Sequence, residues 1–116
     1  MKELYHITDP KNKEAIQREG LKANAGKIFL FEDISFKPEW YKEPYCVADH
    51  IALNQVGLKE FAMFKVGMNG IKGQLMPDDV GEICSKWQWY VEQDRIEPEC
   101  IEYVGIYATK KPVTIW

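Results

Sequence analysis

Residues 3–21 read Glu3-Leu4-Tyr5-His6-Ile7-Thr8-Asp9-Pro10-Lys11-Asn12-Lys13-Glu14-Ala15-Ile16-Gln17-Arg18-Glu19-Gly20-Leu21. Three signals in this stretch decide the architecture. The run from Leu4 to Thr8 alternates and is rich in β-prone side chains, the pattern of a strand. Asp9 then offers an acceptor to the unpaired N–H groups at a helix start, and Pro10 fits the first helical position. A helix through Ala15 and Ile16 is expected to stop at Gly20, placed where a terminating glycine belongs.

Working outward, Asn24-Ala25-Gly26 is a polar turn and Ile28-Phe29-Leu30-Phe31 a short, buried strand. Residues 32–43 form a loop rich in aromatic and charged side chains. Within it, residues 36–45, with Trp40 and Tyr41, exceed an ordinary connector and read as a lid or target-recognition element. Pro44 should open a second helix, with the apolar stripe Val47, Ala48, Ile51 and Ala52 and a stop at Gly57. Strands are then expected over 61–66, 71–76, 87–92 and 103–108, with Pro77-Asp78-Asp79 breaking the second. Val113-Thr114-Ile115-Trp116 would add an edge strand. Helices in the N-terminal half and strands after them make an α+β fold, and residues 1–116 read as a single domain.

Composition excludes several function classes. The chain has 116 residues, 46% hydrophobic and 13% aromatic, too apolar for a disordered segment. No apolar run reaches the length of a membrane span, and Met1-Lys2-Glu3 does not begin a signal peptide. The net charge of −3 supplies no global field for a phosphate backbone. Lys11, Lys13 and Arg18 read as a solvated helix face. Cys46, Cys84 and Cys100 are odd in number and widely spaced, as in a reducing compartment. His6 and His50 with these cysteines show no zinc spacing, so no metal is expected. The expectation is a soluble, cytoplasmic protein.

The order Leu4-Tyr5-His6-Ile7-Thr8, amphipathic helix, Glu19-Gly20-Leu21, Lys27-Ile28-Phe29-Leu30-Phe31, and late Ile96-Glu97-Pro98-Glu99-Cys100-Ile101 resembles the ADP-ribosyltransferase superfamily, in its His-type branch. The opening is similar to DNA-modifying DarT toxins and to small bacterial proteins resembling RNA 2′-phosphotransferases. The resemblance spans nearly the whole chain and implies a split, mostly antiparallel sheet whose cleft holds NAD as substrate. It places His6 on the nicotinamide-side ribose, with Ile7 and Thr8 beside it and the Thr8 hydroxyl toward adenosine. Phe29 takes the position of a tyrosine that packs on nicotinamide, and Phe31 that of a hydroxyl residue, a departure from the family pattern.

The resemblance also implies a late-strand glutamate that stabilises the oxocarbenium-like transition state, a role needing fixed negative charge in a sheltered site. Counting back from Ile96 reaches Gln88 or Trp89. Gln88 is neutral. Glu92 lies further along the same strand, on the same face as Gln88 because side chains repeat every second residue, and Glu82 precedes the strand. Glu92 is the choice for a catalyst, Gln88 for a binder. Two functions follow: an enzyme transferring ADP-ribose to a nucleic acid, protein or small molecule with release of nicotinamide, or a nucleotide- or protein-binding module on the same fold.

Structural roles compete for the remaining residues. His50, near the apolar stripe, reads as a packed histidine. A Cys46–His50 nucleophile pair lacks any orienting third residue. Trp87 and Trp89, expected on one face, read as packing residues before a base-stacking wall. Asp78, Asp79 and Glu82 read as turn chemistry before a cation loop.

Overall fold

The alternating segment forms strand β1 (Leu4–Thr8) in the computed structural model, which describes residues 3–37, 42, 45–78 and 87–110. The Asp9 carboxylate accepts from the Lys11 N–H at 3.0 Å, with Pro10 at the helix start as expected. One turn of 3-10 helix (Pro10–Asn12) leads into α1 (Lys13–Glu19). The Gly20 N–H closes the helix on the Ile16 carbonyl at 2.8 Å, with φ 85° and ψ −175° at the glycine. That backbone region is essentially reserved for glycine. A Cβ there would also run into the Ile96 carbonyl oxygen and lie 3.1 Å from Pro98 Cδ. Directly after it, β2 (Leu21–Lys22) pairs with β9 (Arg95–Ile96), Leu21 opposite Ile96. The two motif segments, distant in sequence, are thus packed backbone against backbone.

The main sheet adds β3 (Ile28–Phe31), β6 (Glu60–Val66), β7 (Leu75–Pro77), β8 (Gln88–Val91) and β10 (Ile101–Ala108). Its order is β10-β6-β1-β3-β8-β7, with every neighbouring pair antiparallel. Alternation sorts the side chains onto two faces. Leu4, Ile28, Leu30, Phe64 and Val66 pack with Ile16 of α1, Leu21 and Ile96. On the other face Ile7, Phe31, Phe61 and Met63 pack with Val47, Ala48, Ile51 and Ala52. Each fully buried large side chain contributes about 1.5–3 kcal/mol, so both layers hold the sheet. The architecture is α+β, with two short helices in the N-terminal half.

Several boundaries differ from expectation. The second helix, α2 (Val47–His50), starts after Cys46 because Tyr45–Cys46 form β5, paired with β4 (Ser35–Phe36) inside the expected loop. Pro44 and most of residues 36–45 on its N-terminal side, Trp40 and Tyr41 included, lie outside the described residues. α2 continues as a π-helical turn (Ile51–Val56), closed at Gly57 with φ 71°. The expected strand over 71–76 shrinks to β7 because the Gln93 side chain claims its backbone groups: Oε1 accepts from the Lys72 and Gly73 N–H groups, and Nε2 donates to the Gly70 carbonyl. β8 begins only at Gln88, so Trp87 and Trp89 do not share a face; Trp87 packs on the α2 layer and Trp89 on the α1 layer. The closing segment 113–116 lies outside the described residues.

One carboxyl group opposes this packing. Asp33 Oδ1 is buried without a hydrogen-bond partner among the described residues. Burial, and then the neighbouring Asp49 carboxylate, push the Asp33 carboxyl above its usual range. A raised acid pKa means that the unfolded chain releases the proton first, so stability contributed below pH 4 is lost as the pH rises. Asp33→Asn should therefore raise stability at pH 7 by about 1 kcal/mol, and the gain should disappear toward pH 4 in thermal melts.

Candidate functional site

The ladder between β1 and β3 has a single paired position, Tyr5 opposite Phe31, whereas β1 pairs with β6 along its whole length. The sheet therefore splits beside His6. The imidazole bridges the gap: Nδ1–H donates to the Phe29 carbonyl at 2.8 Å, a side chain acting where a backbone donor would otherwise sit. A carbonyl can only accept, so the neutral ring carries its proton on Nδ1 and keeps Nε2 as an acceptor. Burial lowers the His6 pKa from its ordinary 6.5, against the opposite pull of the Phe29 bond, and favours the neutral form.

Two cavities meet at this split. The larger, about 470 Å³, lies against α1 and is lined by Thr8, Asn12, Asn24, Lys22 and Lys27, together with His6 and Phe29. The smaller, about 350 Å³, lies toward α2 and is lined by Ile7, Phe31, Ile51, Val56, Asp78 and Gln88, again with His6 and Phe29. The alternation that sends Thr8 to one face and Ile7 to the other also separates these chambers. Because β3 diverges from β1, His6 and Phe29 border both. Each volume is in the range of small-molecule sites.

The chambers differ in chemistry. In the larger, the Thr8 hydroxyl accepts from Asn12 Nδ2 at 3.0 Å, which leaves its own proton for another acceptor. Lys22 is paired with Glu19 at 2.7 Å, and Lys27 sits over the Tyr90 ring at 4.5 Å. In the smaller, apolar walls surround a buried carboxamide and a buried carboxyl: Gln88 is 4% and Asp78 5% exposed. Their backbones are joined by the Asp78 N–H to the Gln88 carbonyl at 2.9 Å. Phe29 is 41% exposed although it lies within the sheet, and its ring stands 6.2 Å from that of Tyr90. It presents an aromatic surface at the junction.

His6, Ile7, Thr8, Phe29, Phe31 and Gln88 are thus brought together. Glu92 is not: it follows Val91, the last residue of β8, is exposed at the far end of that strand from Gln88, and lines neither chamber. The same-face argument fails because the strand ends before it reaches position 92. Glu82 lies outside the described residues. Asp78, expected as turn chemistry, lines the smaller chamber; the pairing of β7 with β8 that places it there has no local signal.

His50 is buried on α2, and burial lowers its pKa. Burial and the Asp33 charge raise the Cys46 pKa, which disfavours a thiolate nucleophile. Among the described residues no cluster of three His, Cys, Asp or Glu side chains could hold a metal ion, and no helix is long and apolar enough to cross a membrane. In comparisons with known proteins, no family model, curated protein or solved structure matches the chain.

Proposed function

We propose that the split cleft binds NAD and that the protein transfers ADP-ribose from it to an acceptor, releasing nicotinamide. The observation that carries this reading is the junction itself: a neutral imidazole and an exposed aromatic ring stand where a polar, lysine-lined chamber meets an apolar one. A dinucleotide has matching halves. Its adenosine and phosphates suit Thr8, Asn12 and the lysines, and its nicotinamide suits Phe29 and the apolar chamber. His6 Nε2 is then an acceptor for a ribose hydroxyl. In the transfer, the bond from ribose C1′ to the nicotinamide nitrogen breaks, and a nucleophile of the acceptor bonds to C1′ as it gives up its proton. Asp78 is the carboxylate of the smaller chamber and the group suited to the positive charge developing on the ribose.

A second reading rests on Gln88 and Phe31. The late-strand position is neutral and the second-motif hydroxyl is absent, which favours a nucleotide-binding module without turnover. One titration separates the two. Adding NAD to labelled protein should shift the amides of His6, Thr8 and Phe29 saturably, with free nicotinamide appearing in the same tube. Asp78→Asn should keep the affinity and reduce nicotinamide release about 10²-fold. Saturable shifts without nicotinamide, even with candidate acceptors present, select the binding module. No shifts at millimolar NAD reject NAD as the ligand and with it the transferase reading.

A further inference from the structure

The sheet has two edges of opposite character. β7 is short, only three residues (Leu75–Pro77), and contains a proline. β10 spans eight residues, Ile101–Ala108, with no proline, no lysine and a single charge, Glu102. Its outer backbone groups pair with no other strand among the described residues. Val104, Ile106 and Tyr107, 38–46% exposed, lie along it. Natural edges are normally shortened or guarded by proline and charge; only β7 is so guarded.

We infer that β10 is a self-association surface, pairing antiparallel with β10 of a second copy across a two-fold axis and joining two six-stranded sheets into one. The residue pattern favours a second copy because it is self-complementary. Centred between Val104 and Gly105, the pairing sets Ile101 opposite Ala108, Glu102 opposite Tyr107 and Tyr103 opposite Ile106 of the other copy. Within one chain, Ile101, Tyr103 and Ile106 face the same way as Val66, Phe64 and Ala62, and Glu102 and Tyr107 the same way as Lys65 and Phe61. Each pair therefore matches like face with like face. Glu102 is set opposite a tyrosine instead of a second carboxylate, which would repel it.

The bulge in β10 falls between Tyr103 and Gly105, at the centre of this arrangement. Val104 there is set opposite Gly105 of the second copy, over which that copy's own Tyr107 phenol lies, 3.2 Å from a Cβ placed on the glycine. Beyond the strand, the pairing with the β6 side continues for one more residue, the Thr109 N–H going to the Lys59 carbonyl, and the Lys110 N–H goes to the Asp49 carboxylate. A single strand pair about 27 Å long at ~3.4 Å per residue makes a small interface, suited to a reversible dimer rather than an obligate one.

Sedimentation of the full chain from about 1 to about 200 μM tests this. The apparent mass should rise from 13.5 kDa toward twice that value. Ile106→Lys, at a half-exposed edge position, should move the midpoint at least about tenfold higher, because two buried ammonium groups replace an apolar contact. Met76→Lys places the same charge on the opposite edge and should leave the midpoint unchanged. Hydrogen exchange on the unmodified protein gives a readout free of folding defects in either variant. Slower exchange over 101–108 at high concentration supports the pairing. A monomer throughout the range, equal dimerisation by all three proteins, or exchange over 101–108 that ignores concentration overturns it.

Discussion

Gly20→Ala is expected to destabilise the protein by about 3 kcal/mol or more, combining about 1–3 kcal/mol of backbone strain with a similar overpacking cost. The glycine sits at φ 85° and ψ −175°, and its missing side chain makes room for the Ile96 carbonyl. That oxygen belongs to backbone, so it cannot swing aside as a flexible side chain could. Relief requires parting β2 from β9, and with them Leu21 and Ile96, both in the α1 core layer. For a domain near this size the melting temperature should fall by about 10 °C or more. Gly26→Ala is the internal control. Its φ is +78°, but nothing lies within 4 Å of an added Cβ, so it should cost only about 1 kcal/mol. Equal losses in denaturant melts would show that strain alone, and not the close approach of residues 20 and 96, is what position 20 tolerates poorly.

His6→Ala should weaken NAD binding by about ten- to a hundred-fold and abolish nicotinamide release. Removing a hydrogen-bond partner from a buried group costs about 1–3 kcal/mol, and each 1.4 kcal/mol is a factor of ten in affinity. The variant also leaves the Phe29 carbonyl without its donor, so Phe29 loses its fixed place between the chambers. Binding must accordingly be measured at a temperature where the variant remains folded by circular dichroism. The pH dependence supplies a signature that a packing role alone would not.

Burial depresses the His6 pKa, so the unfolded chain takes up the proton first as the pH falls. The associated stability is complete above about pH 6.5 and declines below it toward the folded pKa. The folded protein keeps the Nε2 acceptor through that interval and loses it only at the depressed folded pKa. NAD affinity of the unmodified protein should stay level through pH 6.5, fall with acid only around the depressed folded pKa, and be flat in His6→Ala, while the residual stability slope of the variant reports His50, which burial shifts in the same direction. Unchanged affinity in His6→Ala would remove His6 from the site.

Much of the fold was legible because its signals are local. Alternation marked β1, Asp9 and Pro10 marked the start of the 3-10 turn that leads into α1, and Gly20 marked the end of α1. Errors arose where a distant group intervened. Gln93 captured the backbone of residues 70–73, shortening β7, and the pairing of Tyr45–Cys46 with Ser35–Phe36 delayed α2. Of the residues that line the two chambers, His6, Thr8, Phe29 and Gln88 are singled out by the sequence, and Asp78 and the displacement of Glu92 from the chambers are not.

By itself the sequence determined the alternation of faces within β1 and β3, where the first helix stops, and that the chain forms an α+β core. These follow from periodicity and from backbone preferences within a few residues. Only the tertiary structure decided that β1 and β3 part after Tyr5, that Gly20 abuts Ile96, and that Asp78 rather than Glu92 stands beside Gln88. Ladder length and register depend on partners tens of residues away. Alternation states which way a side chain points; it does not state where its strand ends or which strand lies alongside.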